Sequence, residues 1–469
     1  MDVRQPSVAA ADAKWSKDTF QFLFVSMGQG DCCVITCPDG RHVMIDCGSK
    51  AEESDSSWDV IAELLRGPDV FGLVGAERGL EALILTHPDK DHVSKVAELL
   101  GAKRMGFSYG VDADAPSGVS TKRPRPAKEF KRITVNNVYF SDPSRARDDF
   151  KRSPLRQYAI TACNDAIYQH LKVQKLYCVT LNSEAAKVDV WTKPSAEAIV
   201  NQRQPFAEQD HSERVIDRSG LVICEGRADN GTDWSIKIIA GNVPKDPNEV
   251  DTSDQDGRNA GSLVTLIKFG VEKFLICGDA TVSTEKYLIR NYPSPKDLES
   301  LTLIQVPHHG SNTSFSSDFI DGCRYSVNGR DTIFGGAKPK QAIVSVQLLE
   351  HAHHLPTFNM VTRAKNHAKV YPAHRIHYWK EITAVDFERL KSEWASGAVT
   401  FITESDNQMR PARYVRHPIA ENFNGIIVLD GLNSPGNAMK YALYQEVSTQ
   451  EIRLTGIDGH IWYYFDGTG

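Results

Sequence analysis

Hydrophobic positions in this chain fall into short, nearly continuous runs separated by glycine-bearing polar turns, a rhythm of strands more than of helices. FQFLFVS (20–26), CCVITC (32–37), HVMID (42–46) and EALILTH (81–87) read as strands, with turns at Gly28, Gly30 and Pro38-Asp39-Gly40 between the first three. SWDVIAELLRG (57–67) and VSKVAELLG (93–101) place apolar residues at helical spacing and end on glycine, so both predict helices. From residue 221 the strand rhythm returns in LVICEG, WSIKIIAG, SLVTLIKFG and KFLICGD. A helix is predicted over 282–291, then strands LTLIQV (301–306) and QAIVSVQ (341–347), a histidine-rich loop and a helix near 357–367. The tail (398–469) is strand-like, with turns such as Asp430-Gly431 and Asp458-Gly459.

Residues 102–215 interrupt this pattern. They carry basic stretches at Lys122–Arg132 and Arg145–Arg156, predict a helix over 155–172, and show no chemical motif. They read as an insertion. The expected organisation is a polar N-terminal arm over 1–19, one α/β unit over 20–384 and a strand-rich extension over 385–469. Strands alternating with helices, in two blocks, predict an α/β sandwich in preference to a purely parallel sheet.

Composition narrows the function classes. A chain of 469 residues with 41% hydrophobic and 24% charged residues can bury a large core. A net charge of −6 argues against wholesale coating of nucleic acid while leaving room for a local basic groove at Lys122–Arg132. The sequence holds no apolar run long enough to span a membrane. The nine cysteines are odd in number, lack metal-ribbon spacing and sit mainly in apolar runs (Cys32, Cys33, Cys224, Cys277), which predicts buried free thiols and a cytoplasmic protein.

Three polar clusters, each ending an apolar strand, carry the candidate chemistry. In the first, Thr86-His87-Pro88-Asp89-Lys90-Asp91-His92, two histidines and two aspartates fall within six residues, and a short loop lets such ligands converge on zinc or manganese. The second is Cys277-Gly278-Asp279 and the third Val306-Pro307-His308-His309-Gly310-Ser311. Taken singly, Asp279 is as readily a turn former, and for the paired histidines satisfied core or surface groups are the lesser alternative. Together the clusters supply enough ligands for two ions.

The order of these motifs resembles the metallo-β-lactamase superfamily, and more narrowly the soluble hydrolase domain of the ComEC competence proteins. The matching stretches are FVSMGQGDCCVI (24–35), HVMIDCGS (42–49), LILTHPDKDH (83–92), NAGSLVTLIKFG (259–270), FLICGDA (274–280) and LIQVPHHGSNTS (303–314), with AIVSVQ and HAHHLP (342–356) a weaker match. The resemblance implies an αββα sandwich with two divalent metal ions, Zn or Mn. It implies that His87, Asp89, Asp91 and His92 are metal ligands and that Asp279 bridges the ions. His308 or His309 completes the second ion; the strand-adjacent His308 is favoured. Asp46 resembles the aspartate that orients a ligating histidine. Gln29, Gly30 and Asp31 match a pocket-lining turn, Asn259 and Ser262 match a polar pair before a strand, and Ser311, His351, His353 and His354 stand where substrate contact is expected. The superfamily's commoner form has histidine in place of Asp89, and its separate histidine before the bridging aspartate has no counterpart in IIAGN (238–242).

The reaction implied is hydrolysis by a metal-activated hydroxide, most simply of a phosphodiester in nucleic acid, with Asp91 or Asp279 orienting the nucleophile or taking its proton. A small-molecule phosphoester or ester hydrolase of the same fold, and a non-catalytic metal-stabilised binding or regulatory module, are the alternatives.

Overall fold

The computed structural model describes residues 15–49 and 79–96 (26, 28, 29, 88 and 94 aside), strand segments between 107 and 216 with residue 133, residues 220–246 and 258–345 (328 aside), residues 355, 356, 360 and 363, and strand segments between 375 and 467. The helices predicted over 57–67, 155–172 and 357–367, most of that over 93–101, and the loop holding His351, His353 and His354 lie outside the described residues, apart from Met360 and Arg363.

Two mixed sheets form the body. The first contains β1 (Phe20–Phe24), β2 (Cys33–Thr36), β3 (His42–Ile45), β4 (Gly79–Leu85), β5 (Thr134–Ser141), β6 (Lys175–Leu181), β7 (Ala186–Trp191) and β8 (Ser212–Ile216). The second contains β9 (Leu221–Arg227), β10 (Asp233–Ala240), β11 (Val264–Phe269), β12 (Glu272–Ile276), β13 (Leu303–Gln305), β14 (Gln341–Val344) and β15 (Ile452–Leu454). A last strand, β16 (Ile461–Phe465), returns to pair antiparallel with β1. The nine-stranded order is β8-β7-β6-β5-β4-β3-β2-β1-β16, and the seven-stranded order is β9-β10-β11-β12-β13-β14-β15. Each sheet changes from antiparallel to parallel pairing: β3, β4, β5 and β6 run parallel in one, and β12, β13, β14 and β15 in the other.

Side-chain alternation explains why the second sheet reads as unbroken apolar runs: both its faces are buried. On β12, Phe274 and Ile276 enter the core between the sheets, while Leu275 and the following Cys277 face the helices. Ile267 and Phe269 on β11, with Leu303 and Ile343, join the first set; Val264, Leu266, Ile304 and Val344 join the second. The helical layer includes α1 (Val282–Asn291), which buries Leu288 and Ile289, and the short α2 (Ser317–Ile320), which buries Phe319. Thr281 caps α1 in a reciprocal pair with Thr284, which fixes the start of the helix where the sequence predicts it.

The first sheet's Phe20, Phe22 and Phe24 fill the same inter-sheet core, and the alternating Leu23, Val34, Met44 and Leu83 on its other face are buried as well. These layers accord with an α/β sandwich of the metallo-β-lactamase type. Two segments are more integral than the sequence suggests. Strands β5 to β8 come from the segment read as an insertion and extend the first sheet from β4. The tail supplies β15 to one sheet and β16 to the other, and its strands 400–403, 413–418, 424–430 and 440–448 form an antiparallel five-stranded sheet with 375–382. Among the described residues no helix is long and apolar enough to cross a membrane. The described cysteines are free thiols, and six of them are buried.

Glu285 of α1 ties the helical layer to the loop after β13. Its buried carboxylate accepts the backbone N–H of Phe315 (2.5 Å) and of Ser316 (2.9 Å), and Arg363 donates to the Ser314 carbonyl at 3.1 Å. Burial pushes Glu285 up from 4.5 to about 7, against the pull of those N–H donors. Its carboxyl therefore holds a proton in the folded chain that the unfolded chain gives up, so the associated stability is complete below about pH 4.5 and is lost as pH rises through about 7.

Two stability measurements test this account. In urea unfolding, Phe274→Ala is expected to cost about 3–5 kcal/mol and the half-buried Phe465→Ala about 2 kcal/mol; a neutral Phe465→Ala would show that the returning strand adds no packing. Between pH 5 and 8 the wild type should lose stability relative to Glu285→Gln by up to about 1.4 kcal/mol per pH unit. Parallel profiles for the two proteins would contradict a buried titrating Glu285.

Candidate metal centre

The chemistry-bearing residues gather where parallel strands end. Asp46 follows β3, His87 to His92 follow the neighbouring β4, Asp279 follows β12, and His308 and His309 follow the neighbouring β13. One parallel pair from each sheet thus delivers its carboxyl-terminal loop to a common point. The backbone joins the two sides: Leu263 N–H, leading into β11, donates to the Thr86 carbonyl at 2.9 Å. Within the second sheet, His308 N–H donates to Gly278 O, also at 2.9 Å.

The first cluster converges because the chain goes from extended at Thr86-His87 into one helical turn, Lys90–Val93, in which the His92 and Val93 N–H groups return to the Asp89 carbonyl. That turn is clamped from below. Asp31 N–H donates to Asp91 O, and Cys47 N–H to His92 O, at 3.0 and 2.8 Å. Gly48 lies against the same backbone, where an added Cβ would come within 2.3 Å of Asp91 C and His92 N. Only glycine fits that approach.

Four histidines turn the same edge inward. Each engages its Nδ1 elsewhere: His87 with Thr86 Oγ1 (3.2 Å), His92 with Asp46 Oδ2 (2.8 Å), His309 with the Ser345 carbonyl (2.6 Å) and His308 with Thr313 Oγ1 (2.7 Å). The Nε2 atoms then face Asp279. His92 and His309 approach its Oδ1 at 3.2 and 3.5 Å, while His87 and His308 approach its Oδ2 at 3.5 and 3.8 Å. Asp91 Oδ2 lies 3.3 Å from His309 Nε2, and Asp89 Oδ2 lies 3.9 Å from His87 Nε2. The single carboxylate therefore divides the residues into an inner set (Asp91, His92, His309) and an outer set (His87, Asp89, His308).

These sets differ in depth. Asp91, His92 and His309 are buried, and with Asp279 they bring one ligand atom each within 4.8 Å of one another. In the outer set His87 is buried, but the side chains of Asp89 and His308 are 30% and 15% exposed. Asp31 and Asp46 form a second acidic group against the far side of His92, at 3.6 and 2.8 Å from its Nδ1. Asp46 also accepts from Thr86 N–H and Thr86 O–H, at 2.8 and 2.7 Å, so it orients both the strand end and the ring.

Electrostatics follow from this crowding. Burial alone would lower the two inner imidazoles, but neighbouring carboxylates outweigh it: Asp279 and Asp46 hold His92 well above its usual value, and Asp279 and Asp91 lift His309 to about 9. Burial raises Asp91 and Asp279 less than the histidines lower them, so both stay well below the usual carboxylate range. Asp31 is pushed up by burial, only partly offset by His309 and His92. A divalent cation would replace protons as the charge that balances these carboxylates. The residues fit such an ion: His87 Nε2, His92 Nε2 and Asp279 Oδ1 are buried without a hydrogen bond while facing one another, as donor atoms around a shared cation do.

Backbone strain concentrates here too. Asp46, Asn242, His308 and His309 all adopt left-handed φ of 50–56°, with Gly310 continuing the turn at 82°. Successive left-handed residues swing both histidine rings to Asp279, and such conformations cluster at functional sites. Asn242, in the stretch without the expected histidine, is buried beside the Gly261 turn, whose carbonyl accepts its N–H at 2.8 Å.

Of the other predicted residues, Asn259 is buried with its Nδ2 3.2 Å from His308 Nε2. Ser311 Oγ accepts from Thr313 Oγ1 at 3.0 Å, extending the chain that starts at His308 Nδ1. Ser262 is buried, whereas Gln29, His351, His353 and His354 lie outside the described residues. Three participants escaped sequence reasoning. Thr86 and Thr313 sit inside the quoted motifs and hold histidines, and Arg258, in a loop with only turn composition, donates to Asp89 Oδ1 at 2.9 Å.

No curated protein matches the sequence. Residues 25–136, which include Asp31, Asp46 and the whole His87–His92 cluster, match the model of the metallo-beta-lactamase superfamily.

Proposed function

We propose that this protein is a metal-dependent phosphodiesterase or nuclease. The observation that carries the reading is the division of four histidines between the two oxygens of Asp279, with Asp91 beside His309 and Asp89 beside His87. Imidazole and carboxylate donors in this number suit two Zn or Mn ions, one held by Asp91, His92 and His309 and one by His87, Asp89 and His308, with Asp279 shared. Bound there, such ions supply Lewis acidity and make water a nucleophile near neutral pH.

The chain's own groups do the rest. Asp46, Thr86, Thr313 and the Ser345 carbonyl hold the four rings with Nε2 inward, so the site is preorganised before substrate arrives. Asp91 stays ionised at the pH of catalysis, which suits it to orient a nucleophilic water more than to store its proton. The outer set, with partly exposed Asp89 and His308, is the side on which a substrate phosphate is received. A phosphodiester is favoured over a carboxylic ester by the ComEC-like motif order, and nucleic acid by the basic stretch Lys122–Arg132.

Asp91→Asn should lower hydrolysis of bis(p-nitrophenyl) phosphate and of single- and double-stranded DNA and RNA at least about a hundredfold while the circular-dichroism spectrum shows the fold intact. Chelation should abolish wild-type cleavage, and Zn or Mn should restore it. Cleavage that survives either treatment would overturn the reading, and turnover confined to small monoesters would narrow it to a small-molecule hydrolase. Asp46→Asn, which keeps the volume but not the charge behind His92, should weaken metal affinity about 10–100-fold by titration.

A further inference from the structure

The core between the sheets holds a pair of thiols at the end away from the metal centre. Cys37 stands just past β2, at the opposite end of that strand from Asp31, and Cys224 lies on β9 of the other sheet. Both belong to the core between the sheets, with Phe20, Trp234 and Ile236, at 0% and 4% exposure. The two thiols interact directly. The backbone keeps their segments together. Cys37 N–H donates to the Arg41 carbonyl at 2.8 Å and Gly40 N–H to the Cys37 carbonyl at 2.9 Å, which closes a tight turn. From that turn the Arg41 guanidinium reaches across to the carbonyl of Glu225, the neighbour of Cys224, at 2.7 Å, and lies 5.1 Å from the Trp234 ring centroid. The strand that carries Cys224 is the less secure of the two. β9 ends the seven-stranded order, has a register irregularity between Val222 and Cys224, and leaves Val222, Glu225 and Arg227 exposed.

We propose that Cys37 and Cys224 are a modification site, a dithiol that a small disulfide such as oxidised glutathione converts into a disulfide stapling the edge strand β9 to β2. The proposal depends on neither the metal ions nor the substrate. When β9 opens at its edge, the Cys224 thiol gives up its proton and attacks one sulfur of the small disulfide; a mixed disulfide forms and one glutathione thiolate leaves. The Cys37 thiolate then attacks the Cys224 sulfur, and the second glutathione leaves. Two protein thiols and one small disulfide thus become one protein disulfide and two small thiols, which take up the two protons. In the closed chain the reaction is slow. Burial, and after it Cys224 and Asp39, hold the Cys37 thiol well above its usual value, with Arg41 pulling the other way. Opening of the edge strand supplies access, since such strands open at lower cost than the core. The finished bond closes the long loop between positions 37 and 224 and joins the two sheets covalently, remote from the metal centre.

The test is incubation of the folded full chain with oxidised glutathione, followed by mass spectrometry of its alkylated peptides and by thermal unfolding beside the reduced protein. The wild type should lose two hydrogens and yield a linked peptide joining Cys37 to Cys224. Its unfolding midpoint should rise by about 5–10 °C and fall back on reduction. Urea held below the unfolding transition should speed the linkage, because it favours opening of the edge strand. Cys37→Ala should stop at the mixed disulfide, with one glutathione retained on Cys224. Absence of the linked peptide from the folded wild type, or a link that leaves the midpoint unchanged or lower, would overturn the proposal. So would glutathione retained on Cys37 in Cys224→Ala but not on Cys224 in Cys37→Ala, since the edge strand would then not be the route of access.

Discussion

A single buried carboxylate sets the terms for the whole centre. Asp279 carries its charge away from water, where an uncompensated ion is costly, and the compensation comes from imidazoles brought by both sheets. Two of those rings reach it from the end of β4 and two from the end of β13. The requirement explains the topology: parallel pairs must end side by side in each sheet, and the two sheets must face each other with those ends together. It also explains the hydrogen bonds made by every Nδ1, since a ring free to rotate would not keep its Nε2 on the carboxylate.

The cost of that convergence is visible in the backbone. His308, His309 and Asp46 stand in left-handed conformations that residues with a Cβ seldom adopt, and the surroundings hold each one. His308 is tethered through Gly278 O and Thr313, His309 through Ser345, and Asp46 through Thr86 and His92. Glu285 adds a further restraint by gripping the N–H groups of Phe315 and Ser316, just past the turn. Rigidity at the site is thus shared between the sheet ends and the helix behind them.

Much of this was legible in the sequence, for reasons that also mark its limits. The apolar runs of β11, β12 and β13 announce strands because both faces of their sheet are buried. The ligand types were legible because histidine and aspartate rarely follow buried strands in such density. Pairing partners were not: periodicity says that 461–465 is extended, but nothing in it says that the segment lies beside β1, or that 134–141 lies beside β4. His308 and His309 could not be separated, because the strand-adjacent position says nothing about two left-handed residues that send one ring to each oxygen of Asp279. Arg258 was invisible for a similar reason, since a turn-rich loop gives no hint of the carboxylate 169 positions away that its guanidinium meets.

The placement of β16 has a consequence for how the chain is made. β1 is synthesised long before β16, so its outer edge lacks the partner it has in the folded chain until residue 461 has been made. Throughout that interval three phenylalanines and a row of open backbone N–H and C=O groups are available to any other extended chain. The sheet's first strand is therefore its last to be sealed, and misassembly during synthesis, more than unfolding of the finished protein, is the hazard this topology carries.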